Sequence, residues 1–459
     1  VHRWTEDEER LSEAIFAYSI ERLRLDPVPL DGPKPPEELE RLVGRTITPG
    51  GIGGLEALRI FGDVLAPACS SIDHPRSLSF IPCAPTQAAK LFDLVVGASS
   101  IYAGSWLEGA GAVFAENQAL RWVADLAGFP AGAGGVFVQG GTLGNLSGLV
   151  AARYRARRAA ERGDGPALRP GRRLAVATSP EAHSSVRSVS DVMDVEVLEV
   201  EVGPDRRLSG PALADALERC ERQGDLDVFA VVASAGTTNL GIIDDIASLA
   251  DVAEDRGLWL HVDGAYGLAA LAAPSARHRF AGIERADSFV VDPHKWLFSP
   301  FDCAALVYRD PEIARAAHAQ HAGYLEPIGA LGQWDPSDYA VHLSRRARGL
   351  PFWFSIATYG TDAYAQAVER TLVVARYAAD QVLARDELEL LREPELSVVC
   401  FRRLGWGREE YYGWSDRLRT AGVALVTPTT VDGEVVARFA IINPTTSEAD
   451  IELILDSMR

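Results

Sequence analysis

Of the 45 Lys and Arg residues in this 459-residue chain only three are lysine: Lys34, Lys90 and Lys295. Arginine can stand in wherever lysine only carries charge. It cannot where an amine must shed its proton and attack a carbonyl, because a guanidinium stays protonated. Lys34 sits in a Pro-rich stretch and reads as a surface residue. Lys295 lies in Asp292-Pro293-His294-Lys295-Trp296, directly behind the apolar run Ser288-Phe289-Val290-Val291. That is a setting in which a lysine can become a nucleophile.

Four other groups stand in the same relation to an apolar run. Gly140-Gly141-Thr142-Leu143-Gly144-Asn145 follows residues 136–139 and opens a helical pattern. Glycines there bare backbone N–H groups, and a helix start favours an anion; the Thr142 hydroxyl adds a donor. No GxGxxG or Walker pattern is present, which argues against a nucleotide triphosphate. His183, in Ala182-His183-Ser184-Ser185, follows residues 174–178, and an imidazole there can stack on a ring. Thr237 and Thr238 follow the run containing Val231 and Val232 and can bond a ring substituent. Asp263 closes Trp259-Leu260-His261-Val262. Facing a pyridine nitrogen, its carboxylate would keep that nitrogen protonated and make the ring an electron sink. Each feature alone has an ordinary reading: a glycine-rich turn, a loop histidine, turn chemistry, a helix cap. Together and in this order they suit the phosphate, ring face, ring substituent, ring nitrogen and aldehyde of pyridoxal 5'-phosphate.

The elements that must position these groups alternate along the chain. Short apolar runs at 136–139, 174–178, 195–200, 229–233, 259–263, 288–292 and 304–308 are separated by helical stretches such as 145–161, 211–222 and 245–256. Buried strands alternating with helices predict an α/β fold, a mostly parallel sheet with helices on both faces. In such sheets ligands sit outside the carboxyl ends of the strands, where all five groups fall. Residues 1–70 read as an N-terminal helical segment interrupted by a Pro-rich linker, with Leu11, Ile15, Tyr18 and Leu23 on one face. It is too short to bury a core alone, so it is expected to pack on the rest of the chain or on a second subunit. Residues 71–350 read as the cofactor-binding large domain. Residues 351–459 read as a small C-terminal α/β domain, with a helix over 363–383, strands near 396–403 and 435–442, and a closing helix from Ser447.

Composition excludes several classes. A net charge of −19 without an offsetting basic patch argues against a nucleic-acid partner. The five cysteines are scattered without a CxxC pair, so neither a disulfide framework nor a metal site is expected. No apolar run reaches the ~18 residues of a membrane span, and the first ten residues carry no signal-peptide core. A cytoplasmic setting is expected.

These motifs resemble the group II pyridoxal-phosphate decarboxylases, the family containing aromatic-L-amino-acid, histidine and glutamate decarboxylases. The likeness is carried by His74-Pro75, the glycine loop, Ala182-His183-Ser184-Ser185, Ala235-Gly236-Thr237-Thr238, His261-Val262-Asp263-Gly264-Ala265-Tyr266 and Asp292-Pro293-His294-Lys295-Trp296. Arg345-Arg346-Ala347-Arg348-Gly349-Leu350 and Trp353 look like the aromatic branch. The resemblance implies an aspartate-aminotransferase-type fold (pyridoxal-phosphate fold type I) and a homodimer with the active site at the interface. It implies that Lys295 carries the cofactor, with His294 beside it, while His183 stacks on the ring. It implies further that Asp263 pairs the ring nitrogen, Ala265 packs beneath the ring, Thr238 is a cofactor contact, and Gly141, Thr142 and Leu143 cradle the phosphate. Tyr324, in His321-Ala322-Gly323-Tyr324-Leu325, resembles the tyrosine that marks decarboxylases where aldehyde synthases carry Phe. Asp292 stands where aromatic members carry Asn. Phe80-Ile81-Pro82 stands where they show Tyr-Phe-Pro near the substrate, and Gly104 where a partner-contact loop has an aromatic, with Trp106 two positions on. The expected reaction is decarboxylation of a bulky, preferably aromatic, L-amino acid to its amine. An aldehyde synthase, another fold-type-I lyase or aminotransferase, and a non-catalytic relative are the alternatives.

Overall fold

The computed structural model describes residues 2–163, 168–169, 171–320, 322–323 and 332–459. Seven strands form the large sheet: β1 (Gly134–Val138), β2 (Arg173–Thr178), β3 (Glu196–Glu199), β4 (Leu226–Ser234), β5 (Trp259–Asp263), β6 (Ser288–Val291) and β7 (Ala304–Tyr308). They lie in the order β1-β7-β6-β5-β4-β2-β3. β7 runs antiparallel to both its neighbours; β2 to β6 pair in parallel, and β1 points the same way.

The strands are apolar on both faces because each face has its own core. Val231, Ala233, Leu260, Val262, Phe289 and Val291 meet the helices Trp106–Leu126, Gly210–Gln223 and Ile246–Arg256 on one side. The alternate residues Ala230, Val232, Trp259 and Val290 meet Gly141–Arg162 and Ser185–Met193 on the other. This period of two across a doubly covered sheet is the pattern expected of buried parallel strands.

The glycine run holds one difference from the sequence reading. The helix expected from residue 145 begins at Gly141, so the glycines form its first turn rather than a loop before it. Glycine's poor helix propensity hides that turn from a sequence reading. The N-cap is Gly140 and supplies no side-chain cap, which leaves the first N–H groups for other acceptors.

Behind the large sheet, β8 (Leu388–Leu390), β9 (Val398–Arg403), β10 (Thr429–Val431) and β11 (Glu434–Ala440) make an antiparallel sheet in the order β10-β11-β9-β8. Helices Thr361–Leu383, Arg408–Thr420 and Glu448–Asp456 cover it around Phe401, Phe439, Trp414 and Ile451. Two short pieces cross between the cores. Leu78 is buried in the smaller one, bonded to Leu425 and Ala440, while Phe352 lies in the larger. At the N-terminus, helix Glu6–Arg24 is closed by a Thr5–Glu8 capping box and buries none of its residues. Arg22 ties it to Asp73 at 3.1 Å.

Candidate active site

Paired residues Ser234 and Asp263 end β4 and β5 at the same level, and β6 delivers Asp292 just beyond. A cavity of about 460 Å³ opens at this carboxyl edge, lined by Lys295, Asp292, His294, Asp263, Ala265, His183, Gly141, Thr142 and Thr238 among others. The Lys295 amine lies 3.0 Å from Asp292 Oδ2, with the lysine side chain 24% exposed and the carboxylate 1%. The same oxygen accepts the Gly141 N–H at 3.2 Å, while Oδ1 is buried without a partner. His294 turns Nδ1 to the backbone of Cys303, and burial lowers its pKa, so the ring is neutral at pH 7.

Asp263 is held by a polar relay. Its Oδ2 accepts Asn145 Nδ2–H at 2.8 Å and its Oδ1 the Ala265 N–H at 3.2 Å. Asn145 Oδ1 lies 2.9 Å from His261 Nε2, and His261 Nδ1 lies 2.7 Å from Ser288 Oγ. Burial drives the His261 pKa down to about 4, so this imidazole is neutral too. The second Asn145 contact runs to Ser185 Oγ at 3.0 Å, and Ser185 in turn fixes His183: its N–H donates to Nδ1 at 3.1 Å and its Oγ lies 2.8 Å from the same nitrogen. With Nδ1 accepting, a neutral His183 carries its proton on Nε2. Sequence reasoning missed Asn145, Ser185 and His261 as a unit. One signal was available, since His261 and Asp263 are two apart on a strand and share a face.

The wall also carries Phe80 and Ile81, and Phe301, whose ring packs 4.7 Å from that of His294. Phe80 is 70% exposed and takes a left-handed backbone, φ 56°. Arg438 of β11 explains how that wall is held. It is 4% exposed, and it donates to the carbonyls of Phe80 (2.7 Å), Thr238 (2.6 Å) and Asn239 (3.3 Å). Thr237 lines the same cavity, and its Oγ1 accepts the Ile242 N–H at 3.1 Å in a turn.

Several expected residues lie elsewhere. Leu143 packs against the core and its N–H is used by Gly140. Pro82 is buried behind the wall. Gly104 and Trp106 lie outside this cavity: a Cβ on Gly104 would sit 2.4 Å from the Tyr102 hydroxyl, and the Trp106 N–H donates to Asp335 at 2.7 Å. Tyr324 lies outside the described residues. Among the described residues no group of three or more His, Cys, Asp or Glu could hold a metal ion.

The residues present fit pyridoxal phosphate. A Cβ on Gly141 would lie 2.9 Å from Ala265 and 3.2 Å from Asp292, so only glycine lets the helix start close down over the cavity. A lysine amine faces the same space, the uncapped helix start offers its N–H groups, and a fixed carboxylate stands at the end of β5. Such a set can hold an anion, an aldehyde and a basic ring nitrogen at once.

The pyridoxal-dependent decarboxylase conserved domain matches residues 55–404. An aromatic-L-amino-acid decarboxylase of Bacillus atrophaeus is 28% identical over 84% of this chain and 80% of its own length. An L-2,4-diaminobutyrate decarboxylase of Rhizobium meliloti is 32% identical over 89% and 82%. Among solved structures, an Oryza sativa TDC with PLP and tryptamine superposes with a TM-score of 0.91 at 25% identity, covering 100% of this chain and 99% of that one. The fold and site thus define a fold-type-I pyridoxal-phosphate enzyme. The chain belongs to the pyridoxal-dependent decarboxylase family and is an amino-acid decarboxylase.

Proposed function

We propose that the protein removes the carboxylate of a bulky amino acid, aromatic in preference to acidic, and releases the amine. The observation that carries this is the wall: Phe80, Ile81 and Phe301 give an apolar face, and no arginine lines the cavity among the described residues. An acidic side chain buried there would need a fixed cation. Lys295 is paired with Asp292, and burial favours the neutral form of His294.

In this reading Lys295 holds the cofactor and Gly141 and Thr142 seat its phosphate, while His183 covers the ring and Ala265 underlies it. Asp263, braced by Asn145, keeps a proton on the ring nitrogen. When bound, the cofactor would supply the electron sink for the pair left on Cα as CO2 departs. Tyr324 rests on the sequence alone: a phenol can return a proton to the substrate Cα where a phenyl ring cannot. In Tyr324→Phe, amine is expected to fall while aldehyde, ammonia and peroxide rise; unchanged amine would remove Tyr324 from the mechanism.

A second copy of the chain is the partner this reading calls for. Phe16, Phe114 and Leu107 are 56%, 57% and 53% exposed, and Trp106 stands beside Leu107 outside the single-chain cavity. Light scattering should give twice the chain mass. Five unpaired cysteines suit a reducing compartment such as the cytoplasm.

The deciding experiment incubates the holoenzyme with tryptophan, tyrosine, phenylalanine, histidine, glutamate, aspartate and 2,4-diaminobutyrate, and assays amine, aldehyde and CO2 by mass spectrometry. Preference for glutamate or aspartate would overturn the ranking. Preference for diaminobutyrate would favour the activity of the Rhizobium relative.

A further inference from the structure

Asp292 is the most deeply buried charged group of the cavity. Its Oδ2 takes Lys295 Nζ at 3.0 Å and the Gly141 N–H at 3.2 Å, and its Oδ1 meets no donor. His294 Nε2 is 3.6 Å away but neutral. A lysine cannot attack a carbonyl as an ammonium. Some group must therefore take the Lys295 proton when the cofactor is loaded, and Asp292 is the acceptor in contact.

A second requirement points to the same atoms. Once the Lys295 amine has been drawn off to the cofactor, Asp292 loses its counter-charge. A bare carboxylate beside a phosphate dianion is a like-charge pair, and one member of such a pair takes up a proton.

We propose that Asp292 is the base that loads the cofactor: it accepts the ammonium proton of Lys295 and afterwards keeps it, as a neutral acid whose O–H donates to the cofactor phosphate beside Gly141. The step balances. The lysine nitrogen bonds to the aldehyde carbon, and the carbonyl oxygen leaves as water with two of the three ammonium hydrogens. The third stays on Asp292, so the ion pair is consumed and no net charge is created. The assignment rests on the reading of Lys295 as the cofactor lysine and of the Gly141 turn as the phosphate seat. The titratable and charged groups around Asp292 are Lys295 and His294 on its own segment, Cys303 on the turn behind them, and Asp263 and His183 on the same cavity; the glycine turn brings none.

The test follows cofactor uptake by absorbance in stopped flow. Full-length, cofactor-free wild type and Asp292→Asn are mixed with pyridoxal phosphate between pH 6 and 9. Pyridoxamine phosphate, which has the phosphate but no aldehyde, is titrated in parallel. The asparagine keeps a donor and loses the base. Wild-type uptake should vary little with pH. Asp292→Asn should load at least about tenfold more slowly at pH 7, with a rate climbing about tenfold per pH unit as free amine appears. Its affinity for pyridoxamine phosphate should stay within about threefold of wild type. Uptake at the wild-type rate and pH profile overturns the proposal, as does an equal loss of uptake and of pyridoxamine phosphate affinity. If circular dichroism shows the asparagine variant misfolded, Asp292→Ala with added formate decides: restored uptake supports the base role and none overturns it. Failure of the wild type to take up any cofactor overturns both this assignment and the reading beneath it.

Discussion

Lys295 and Asp263 approach the cavity from successive strand ends, and each has a substitution that separates chemistry from folding. Lys295→Arg should fold normally and be inactive, with borohydride fixing no pyridoxyl group on its peptide; a labelled peptide or residual turnover would refute the assignment. Asp263→Ala should lower kcat by about 100-fold or more. A merely structural carboxylate would instead cost about 1 kcal/mol of stability and leave the chemistry intact. The lysine was legible because nearly every other basic residue in the chain is arginine. Asn145 was not. Its importance comes from Asp263, 118 residues away, and from His261, and no local spacing encodes such a contact. Thr237 and Thr238 show the limit from the other side. As sequence they are equivalent and both line the cavity, yet the Thr237 hydroxyl oxygen closes a turn while the Thr238 carbonyl takes the Arg438 guanidinium.

At the scale of elements, the large sheet was readable because strands buried on both faces must be apolar throughout, and each run ends where a polar group begins. The residues at 259–263 and 304–308 were placed to the residue. The first turn of the glycine helix was hidden by its own composition. So was the pairing that pins helix Trp106–Leu126 to the turn before Leu350. Glu116 accepts two bonds from Arg345, at 2.7 and 2.9 Å, and a third from the Gly349 N–H. The side chains of Arg345 and Glu116 are 0% and 3% exposed. Glu116→Ala strands a buried guanidinium and should cost about 3–5 kcal/mol in denaturant unfolding. Replacing both partners with methionine should cost less than the single substitution. A single variant within about 1 kcal/mol of wild type would show that the pair is not what holds the helix.

For the whole molecule the clearest expectation concerns acid. His261 is completely buried and neutral, with its pKa lowered from 6.5 to about 4. Its folded value lies below the unfolded one, so the unfolded chain binds the proton first. The associated stability is present above pH 6.5 and is lost as pH falls towards 4, at up to about 1.4 kcal/mol per pH unit. Burial also lowers His74 to about 4 and His342 to about 3, which steepens the same limb. Melting temperatures should therefore drop progressively below pH 6.5; a flat profile down to pH 4 would contradict the burial of these rings.

Arg438 makes the two sheets answer to one another. Its guanidinium belongs to β11, while its hydrogen bonds end on Phe80 and Thr238 of the cavity wall. Binding and unfolding are then linked quantities: whatever tightens the wall must also hold the C-terminal strand. Amide exchange along Glu434–Ala440 should slow when cofactor is added, although no atom of that strand lines the cavity.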